Sequence, residues 1–310
     1  MKRLLVGYDG SECATAALED LRAAGLPPEI EAKILTVADV WIPADPHPEP
    51  PVYPEGRSKA VLRARDSALD ALKKAQATAE EGRTHLQKLF PKWRIRAFAL
   101  ADSPAWAIAR TAREFHADLV VVGSHGRSLL ERLFLGSVAH KVANEAHCSV
   151  RICKPPPCDP NRGQTILVAL DGSKDSEAAV GIILQRHWPL GTSFKLITVI
   201  DNRLESAVAW PGRYADQWVQ DHDREAREAA SRMIEKHSAE IYGAGLKVET
   251  HIYHGEPKHA LLDATRDLNA DCIFIGAHGL HHEGQLSLGT VASAIASRAP
   301  CSVEIVRAGS

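Results

Sequence analysis

This chain of 310 residues has no long hydrophobic run, no excess of one charge and few cysteines. No apolar stretch approaches the roughly 18 to 20 residues that a transmembrane helix needs, so we expect no membrane partner. The 37 Lys and Arg residues are balanced by 39 Asp and Glu residues, which leaves no basic footprint for nucleic acid. The first residues meet charge early and lack a small-residue cleavage site, which predicts a cytoplasmic chain without a signal peptide.

Several chemical signatures are also missing. Six cysteines are too few for a disulfide scaffold of this length, and none forms a C-x-x-C pair. Most of them lie in apolar segments, where a free cysteine behaves as a small hydrophobic residue, so we expect reduced, structural cysteines. The sequence has neither a Gly-x4-Gly-Lys-Ser/Thr loop nor a Gly-x-Ser-x-Gly nucleophile elbow, and we predict no catalytic residues.

What the sequence does contain is an internal repeat. Asp9-Gly10-Ser11 follows an apolar run and recurs 162 residues later as Asp171-Gly172-Ser173. Farther along, the apolar run before Gly123 recurs 153 residues later before Gly276. The chain therefore holds two copies of one unit. The first copy has nine extra residues, for which the Pro-rich run 41–53 is the obvious place.

A Pro-rich segment separates the copies and predicts a stiff linker over 155–163, between domains 1–154 and 164–310. In each copy, short continuous apolar runs alternate with segments of helical period. This alternation predicts an α/β fold whose parallel sheet is covered by helices on both faces. In the first copy we predict strands over 4–8, 33–37, 95–100, 119–122 and 149–153, and helices over 11–24, 58–89, 105–115 and 137–146.

Ligands of an open parallel sheet lie beyond the carboxyl ends of its strands, so residues there are candidates for binding. After its fourth strand each copy carries a glycine motif, Gly-x2-Gly-x9-Gly-Ser in the first and Gly-x2-Gly-x9-Gly-Thr in the second. Such glycines let successive N–H groups surround an anion, and the helix that follows favours phosphate at its N-terminus. The motif residues are Gly123, Gly126, Gly136, Ser137 and Val138 in the first copy and Gly276, Gly279, Gly289, Thr290 and Val291 in the second.

The two glycine loops differ in charge. The first contains Arg127 and Arg132, which can meet a polyphosphate, whereas the second has His281 and His282 and one acidic residue instead. We therefore expect weaker anion binding by the second copy. A zinc site built from His281, His282 and a neighbour such as His254 is left open, because no ligand spacing there is diagnostic.

These linked features resemble the universal stress protein family in its tandem form, and the resemblance covers nearly the whole chain. It rests on the strand before Asp-Gly-Ser, the block Ala-Asp-Leu-Val-Val-Val-Gly-Ser-His-Gly and the glycine motif, each with a counterpart in the second copy. It implies the adenine-nucleotide α-hydrolase-like fold, with a five-stranded parallel sheet in each domain and the two domains paired through their last strands.

The resemblance also implies a ligand, ATP or the related AMP or ADP, with Mg²⁺ as an open addition. It assigns roles to three positions in each copy. By that resemblance the acidic residues Asp9 and Asp171 lie near the ribose and phosphates or their metal, Val37 and Val199 pair with adenine, and Val122 and Ile275 line the pocket.

We predict a universal stress protein that binds ATP as a sensor or regulator of the stress response, with at most slow ATP hydrolysis. One alternative is a nucleotide-free scaffold that acts through protein partners. A second alternative is an adenylyl-transfer enzyme, which should carry a second substrate pocket and further motifs that the sequence does not show. Further dimerisation and a regulatory protein partner are left open.

Overall fold

The structure, a computed structural model, describes residues 1–40, 55–126, 135–155, 163–201, 213–280 and 287–309. In the two long helices that begin at Glu55 and Arg213, side chains are described from residues 62 and 224 onward. The Pro-rich run 41–53, most of the predicted linker, and Arg127, Arg132, His281 and His282 lie outside these ranges.

The described residues form ten strands and eight α-helices. The strands are β1 (Arg3–Gly7), β2 (Glu31–Ala38), β3 (Arg94–Ala101), β4 (Leu119–Gly123), β5 (Ser149–Cys153), β6 (Thr165–Ala169), β7 (Ser193–Ile200), β8 (Lys247–His254), β9 (Cys272–Gly276) and β10 (Ser302–Val306). The helices are α1 (Glu12–Asp20), α2 (Glu55–Leu89), α3 (Pro104–Phe115), α4 (Ser137–Glu145), α5 (Lys174–Gln185), α6 (Arg213–Gly243), α7 (Pro257–Asp267) and α8 (Thr290–Arg298). No helix in the described ranges is both long and apolar enough to cross a membrane.

All ten strands belong to one sheet, in the order β3-β2-β1-β4-β5-β10-β9-β6-β7-β8. Strands β1–β5 are mutually parallel, and so are β6–β10. Only the central pair in this sheet, β5 with β10, runs antiparallel. The predicted five-stranded parallel sheet in each half is therefore confirmed, and the halves meet through their last strands.

Helix α1 begins as the sequence predicts but ends earlier. The Ser11 hydroxyl accepts a hydrogen bond from the Ala14 N–H at 3.1 Å, as an N-cap residue should. The α-helical turns stop at Asp20, and a 3-10 turn follows over Leu21–Ala23. The helical segment as a whole therefore ends close to the predicted residue 24, with Gly25 at a φ of 64° after it, and only its last turn differs from the predicted α-helix.

The core has a different form on each face of the sheet. Under α3, α4, α7 and α8, one apolar cluster runs without a break across both halves and includes Val150 of β5 and Val303 of β10. On the opposite face are two separate clusters, one beneath α1 and α2 and one beneath α5 and α6. The central strands β5 and β10 therefore join the two halves through a continuous apolar core on one face, whereas no described apolar cluster crosses between them on the other face.

Candidate functional site

A pocket of about 580 Å³ opens at the carboxyl ends of β1, β2 and β4 in the first half. Its floor is formed by Tyr8 and Asp9 after β1 and by the segment 37–40 at the end of β2. The glycine loop 123–126 and the first turn of α4 close one side, and helix α2 closes another. This volume and this position are typical of small-molecule sites in α/β proteins.

The structure brings the predicted first-copy residues together, with the exception of Arg127, which lies outside the described ranges. Eight of the predicted binding residues line this pocket: Asp9, Val37, Val122, Gly123, Gly126, Gly136, Ser137 and Val138. They come from three strand ends and one helix start, separated by up to 129 residues of sequence. Their assembly follows from the parallel topology, whereas their role in binding stays a prediction.

Two of these glycines make close approaches to neighbouring atoms. A Cβ added to Gly126 would lie 3.1 Å from Oδ2 of Asp9. A Cβ added to Gly136 would lie 3.1 Å from the Ser124 carbonyl oxygen, which already accepts the Gly136 N–H at 2.8 Å. The loop therefore folds back on itself and presents bare backbone to the pocket.

Asp9 is held in place by its own turn. Its Oδ1 accepts the Ser11 N–H at 3.0 Å, and Gly10 between them has a φ of 78°. The other oxygen, Oδ2, is the one nearest Gly126. A carboxylate is thus fixed beside the glycine loop, where it can meet a cation that accompanies a bound anion.

The N-terminus of α4 faces the same pocket. Gly136 is its N-cap residue, with extended backbone angles, and no side chain of the described residues caps the helix there. The N–H groups of the first turn have no partner within the helix and carry the positive end of its dipole. Such an end is a ready anion site.

Helix α2 contributes lining residues that the sequence reasoning missed. Ala71, Lys74, Ala75 and Thr78 form one face of the helix against the pocket. Their spacing of three and four residues is the signal that could have identified this face. Which face of a long, charged helix meets the strand ends depends, however, on how the helix is placed over the sheet.

The second copy repeats the same backbone geometry at the ends of its strands. A Cβ added to Gly279 would lie 3.1 Å from Oδ2 of Asp171, and Gly289 N–H donates to the Ala277 carbonyl at 2.8 Å. The other predicted residues of this copy lie at the corresponding strand ends and helix start: Val199 in β7, Ile275 and Gly276 in β9, and Thr290 and Val291 in α8.

One residue makes the second loop different. Asp175 stands 162 residues after Cys13, and its carboxylate accepts the backbone N–H groups of His278 at 3.0 Å and Ala308 at 2.7 Å. The same carboxylate lies 3.0 Å from Nδ1 of His278. The second glycine loop is therefore bonded to a carboxylate of the chain itself, where the first half has Cys13.

A metal ion held by side chains alone would need a group of ligands in the described part of the chain. Within those ranges no three His, Cys, Asp or Glu side chains are grouped so as to hold a metal ion. Since His281 and His282 lie outside them, the zinc hypothesis is not tested.

The repeated α/β unit, the strand-end pocket and the doubled glycine loop define a tandem α/β protein with a candidate anion site in its first half. The model of the universal stress protein family matches residues 1–154 and 163–307, and the chain belongs to that family. Among its relatives, universal stress protein MJ0531 of Methanocaldococcus jannaschii is 30% identical over 158 residues, which are 50% of this chain and 83% of that protein.

Two solved structures share the whole architecture. A universal stress protein from Archaeoglobus fulgidus superimposes with a TM-score of 0.66 at 21% identity, over 99% of this chain and 98% of that one. A putative universal stress protein from Pseudomonas aeruginosa gives a TM-score of 0.60 at 14% identity, over 99% and 93%. At these identities the likeness concerns the fold alone.

Proposed function

We propose that the first domain binds ATP or a related adenine nucleotide, AMP or ADP, and that the chain acts as a sensor or regulator in a stress response. The observation that carries this proposal is the bare backbone at Gly126 and Gly136, set against the uncapped start of α4 in one pocket. Backbone N–H groups that are open to the pocket, together with a helix N-terminus that no side chain caps, are what a phosphate group requires.

The phosphates have a place at the polar end of the pocket. N–H groups of the glycine loop and of the first turn of α4 would donate to phosphate oxygens, and the Ser137 hydroxyl adds a donor beside them. Lys74 supplies a positive charge from the opposite wall. Together these groups offset the charge of a phosphate chain.

The base has a place at the apolar end. Val37 at the end of β2, Val122 at the end of β4, and the Ala71 and Ala75 side chains of α2 surround it. A planar purine fits between such apolar walls, and the backbone groups of the segment 37–40 are at hand for its polar edge.

The chain's residues also fit a magnesium ion bound with the phosphates. Mg²⁺ in nucleotide sites is usually held by one or two carboxylates together with phosphate oxygens. Asp9, fixed through Oδ1 with Oδ2 toward Gly126, would provide that carboxylate. When bound, the ion would neutralise phosphate charge. We assign no general base to the site, in keeping with at most slow hydrolysis.

Occupancy is proposed to be unequal between the domains. In the second domain the Asp175 carboxylate accepts the His278 N–H of the glycine loop, whereas the equivalent position of the first domain is Cys13, which has no carboxylate. The loss of the arginines after the first glycine pair acts in the same direction. One high-affinity site per chain is the expected result.

Calorimetric titration of the nucleotide-stripped chain with Mg-ATP tests this proposal. Gly126→Asp places a second carboxylate against Asp9 and against the phosphates, so binding should fall at least 30-fold. Gly279→Asp is the matched control, because it makes the same substitution at the same 3.1 Å distance in the second domain. It should leave the first-site affinity unchanged.

The possible results separate the candidate functions. Two equivalent sites would contradict the role of Asp175. No binding to the wild-type chain would overturn the proposal and favour the nucleotide-free scaffold. The bond between Asp175 and the second glycine loop is the observation that favours this alternative. Turnover of ATP to AMP and pyrophosphate would instead indicate an adenylyl-transfer enzyme.

A further inference from the structure

Two oppositely charged residues face each other at the centre of the sheet. Arg151 of β5 and Glu304 of β10 are directly opposite in the antiparallel register, with Nη1 and Oε2 2.9 Å apart. Their exposed fractions are 2% and 0%. They lie on the face where the apolar core is interrupted, so the join between the domains is ionic there.

Each domain adds a second charge to this buried group, which we call the central network. In the first domain Asp20 of α1 accepts from Arg151 Nε at 2.6 Å and from the Ser302 hydroxyl at 2.7 Å. In the second, Arg186 donates to Glu304 at 3.0 Å. Burial opposes the charge of Arg151, but Asp20, Cys272 and Glu304 around it raise its pKa well above the ordinary value.

The contacts at this join link equivalent positions of the two copies. Arg151 and Glu304 are 153 residues apart, which is the repeat offset at the end of each copy. Arg186 donates to the Ala24 carbonyl at 3.0 Å and lies 162 residues after it, the offset at the start of each copy. These positions therefore lie on the pseudo-twofold axis that relates the domains.

A residue on such an axis would meet its own copy if two identical domains were paired. Two first domains would place Arg151 against Arg151 and leave a void where two Ala24 residues meet. Two second domains would place Glu304 against Glu304 and force two buried Arg186 side chains into the space of one. Each domain carries one acid and one base of the central network, so the net charge of the network is equal in all pairings. The discrimination between pairings therefore comes from which side chains face each other and from their volumes.

A third contact has the same asymmetry. The Trp188 ring lies over Gly25, where an added Cβ would be 2.8 Å from ring atom Cε3. The counterpart of Gly25 in the second copy is His187, 162 residues later. In a pair of second domains, Trp188 would therefore meet a histidine side chain in a space that accepts only glycine.

We propose that the last-strand edge of each domain selects the unlike domain of this chain and rejects a second copy of its own kind. The partner that this surface fits is a domain with an acid opposite Arg151 and a small residue opposite Arg186. A pair of second domains is opposed by like charge at one position and by volume at two others, and a pair of first domains is opposed by like charge at one position and by a void at another. The contact between the last strands of the two domains is thus specific for a pair of unlike domains.

The test uses the full chain with a protease site placed in 156–162, outside the described structure. The folded chain is cut, unfolded in urea and refolded, and the pairs are counted by native mass spectrometry, which separates the two halves by mass. We expect unlike pairs in at least tenfold excess over either like pair. A distribution near the random 1:2:1 would overturn the proposal.

A second measurement on the uncut chain removes any dependence on refolding of the halves. Inside one chain, Glu304→Arg places an arginine opposite Arg151 and Ala24→Arg places an arginine against Arg186, which are the single axial contacts of the two like pairs, and Glu304→Gln and Ala24→Met are their uncharged controls. The arginine variants should lower the urea midpoint well below that of their controls, or fail to fold where the controls fold. Equal midpoints within each matched pair would contradict the proposed selection.

Discussion

A Cβ on residue 82 would lie 2.7 Å from Cδ1 of Tyr8, so α2 reaches the end of β1 only because residue 82 is glycine. Tyr8 lines the pocket, and its hydroxyl lies 3.3 Å from Oγ1 of Thr15. A glycine inside a 35-residue helix costs about 1 kcal/mol in helix propensity. Packing of the pocket wall therefore outweighs local preference at this position.

The first prediction follows from that contact. Gly82→Ala should destabilise the chain by about 1–3 kcal/mol, because the new methyl group meets the Tyr8 ring. Gly181→Ala is the matched control inside α5, where no heavy atom lies within 4 Å of the added Cβ. It should stabilise by about 0.5–1 kcal/mol. Urea unfolding of both variants checks the opposite signs, and equal shifts would refute the packing argument.

The second prediction concerns Lys74. Lys74 is the only lysine among the described residues that line the pocket, and Lys74→Glu reverses its charge. The Mg-ATP affinity should then fall about five- to tenfold, because a partly exposed charge interaction contributes roughly 1 kcal/mol to binding. Lys73→Glu is the control, because Lys73 is not part of the pocket lining and pairs with Asp70 on the solvent side. Titration calorimetry should show the loss for Lys74→Glu alone, and equal losses would point to a general charge effect.

The third prediction concerns the cysteines. Burial raises the pKa of Cys148 and of Cys301 to about 12, and it raises the pKa of Cys153 and Cys272 as well. Because the thiolate is the reactive form, these four thiols should react with Ellman's reagent at pH 8 only after denaturation. In a Cys158→Ser chain, partly exposed Cys13 should give one fast equivalent. Several fast equivalents would show that the core opens readily.

The fourth prediction concerns acid pH. Burial lowers the pKa of His147, and the positive charges of Arg113, His116 and Arg307 lower it further. The stability contributed by its neutral form is complete above the unfolded pKa of about 6.5, and it is lost as pH falls through the lower folded pKa. His147→Gln should therefore show a smaller drop in Tm than wild type between pH 7.5 and 5.5. Parallel Tm profiles would contradict this assignment.

Much of the fold was predictable from sequence because the strands are continuous apolar runs. Strand β5 has the predicted bounds, Ser149–Cys153, and α2 begins three residues before its predicted start. The strand-end candidates came together because parallel topology places all carboxyl ends of one domain at one edge. The change to a 3-10 turn over Leu21–Ala23 was missed because hydrophobic periodicity does not distinguish one such turn from the last turn of an α-helix.

Other features had no local signal. Asp20, Arg151 and Glu304 are separated by more than 130 residues, and charged residues within apolar strands give no indication of a shared buried site. Asp175 lies two residues after Ser173, where the sequence predicts only an acidic residue in the first turn of a helix. Its role in the second glycine loop depends on a contact with His278, 103 residues away. Contacts between side chains that lie so far apart in the sequence are set by tertiary packing, which the hydrophobic periodicity of the sequence does not encode.

The antiparallel join of β5 and β10 has a consequence for access to the molecule. Since the strands within each domain are parallel, the carboxyl ends of the two domains lie at opposite edges of the one sheet. A body that docks on one edge therefore covers the strand ends of a single domain and leaves those of the other in bulk solvent. The strand ends of the two domains are therefore accessible from solvent independently of each other.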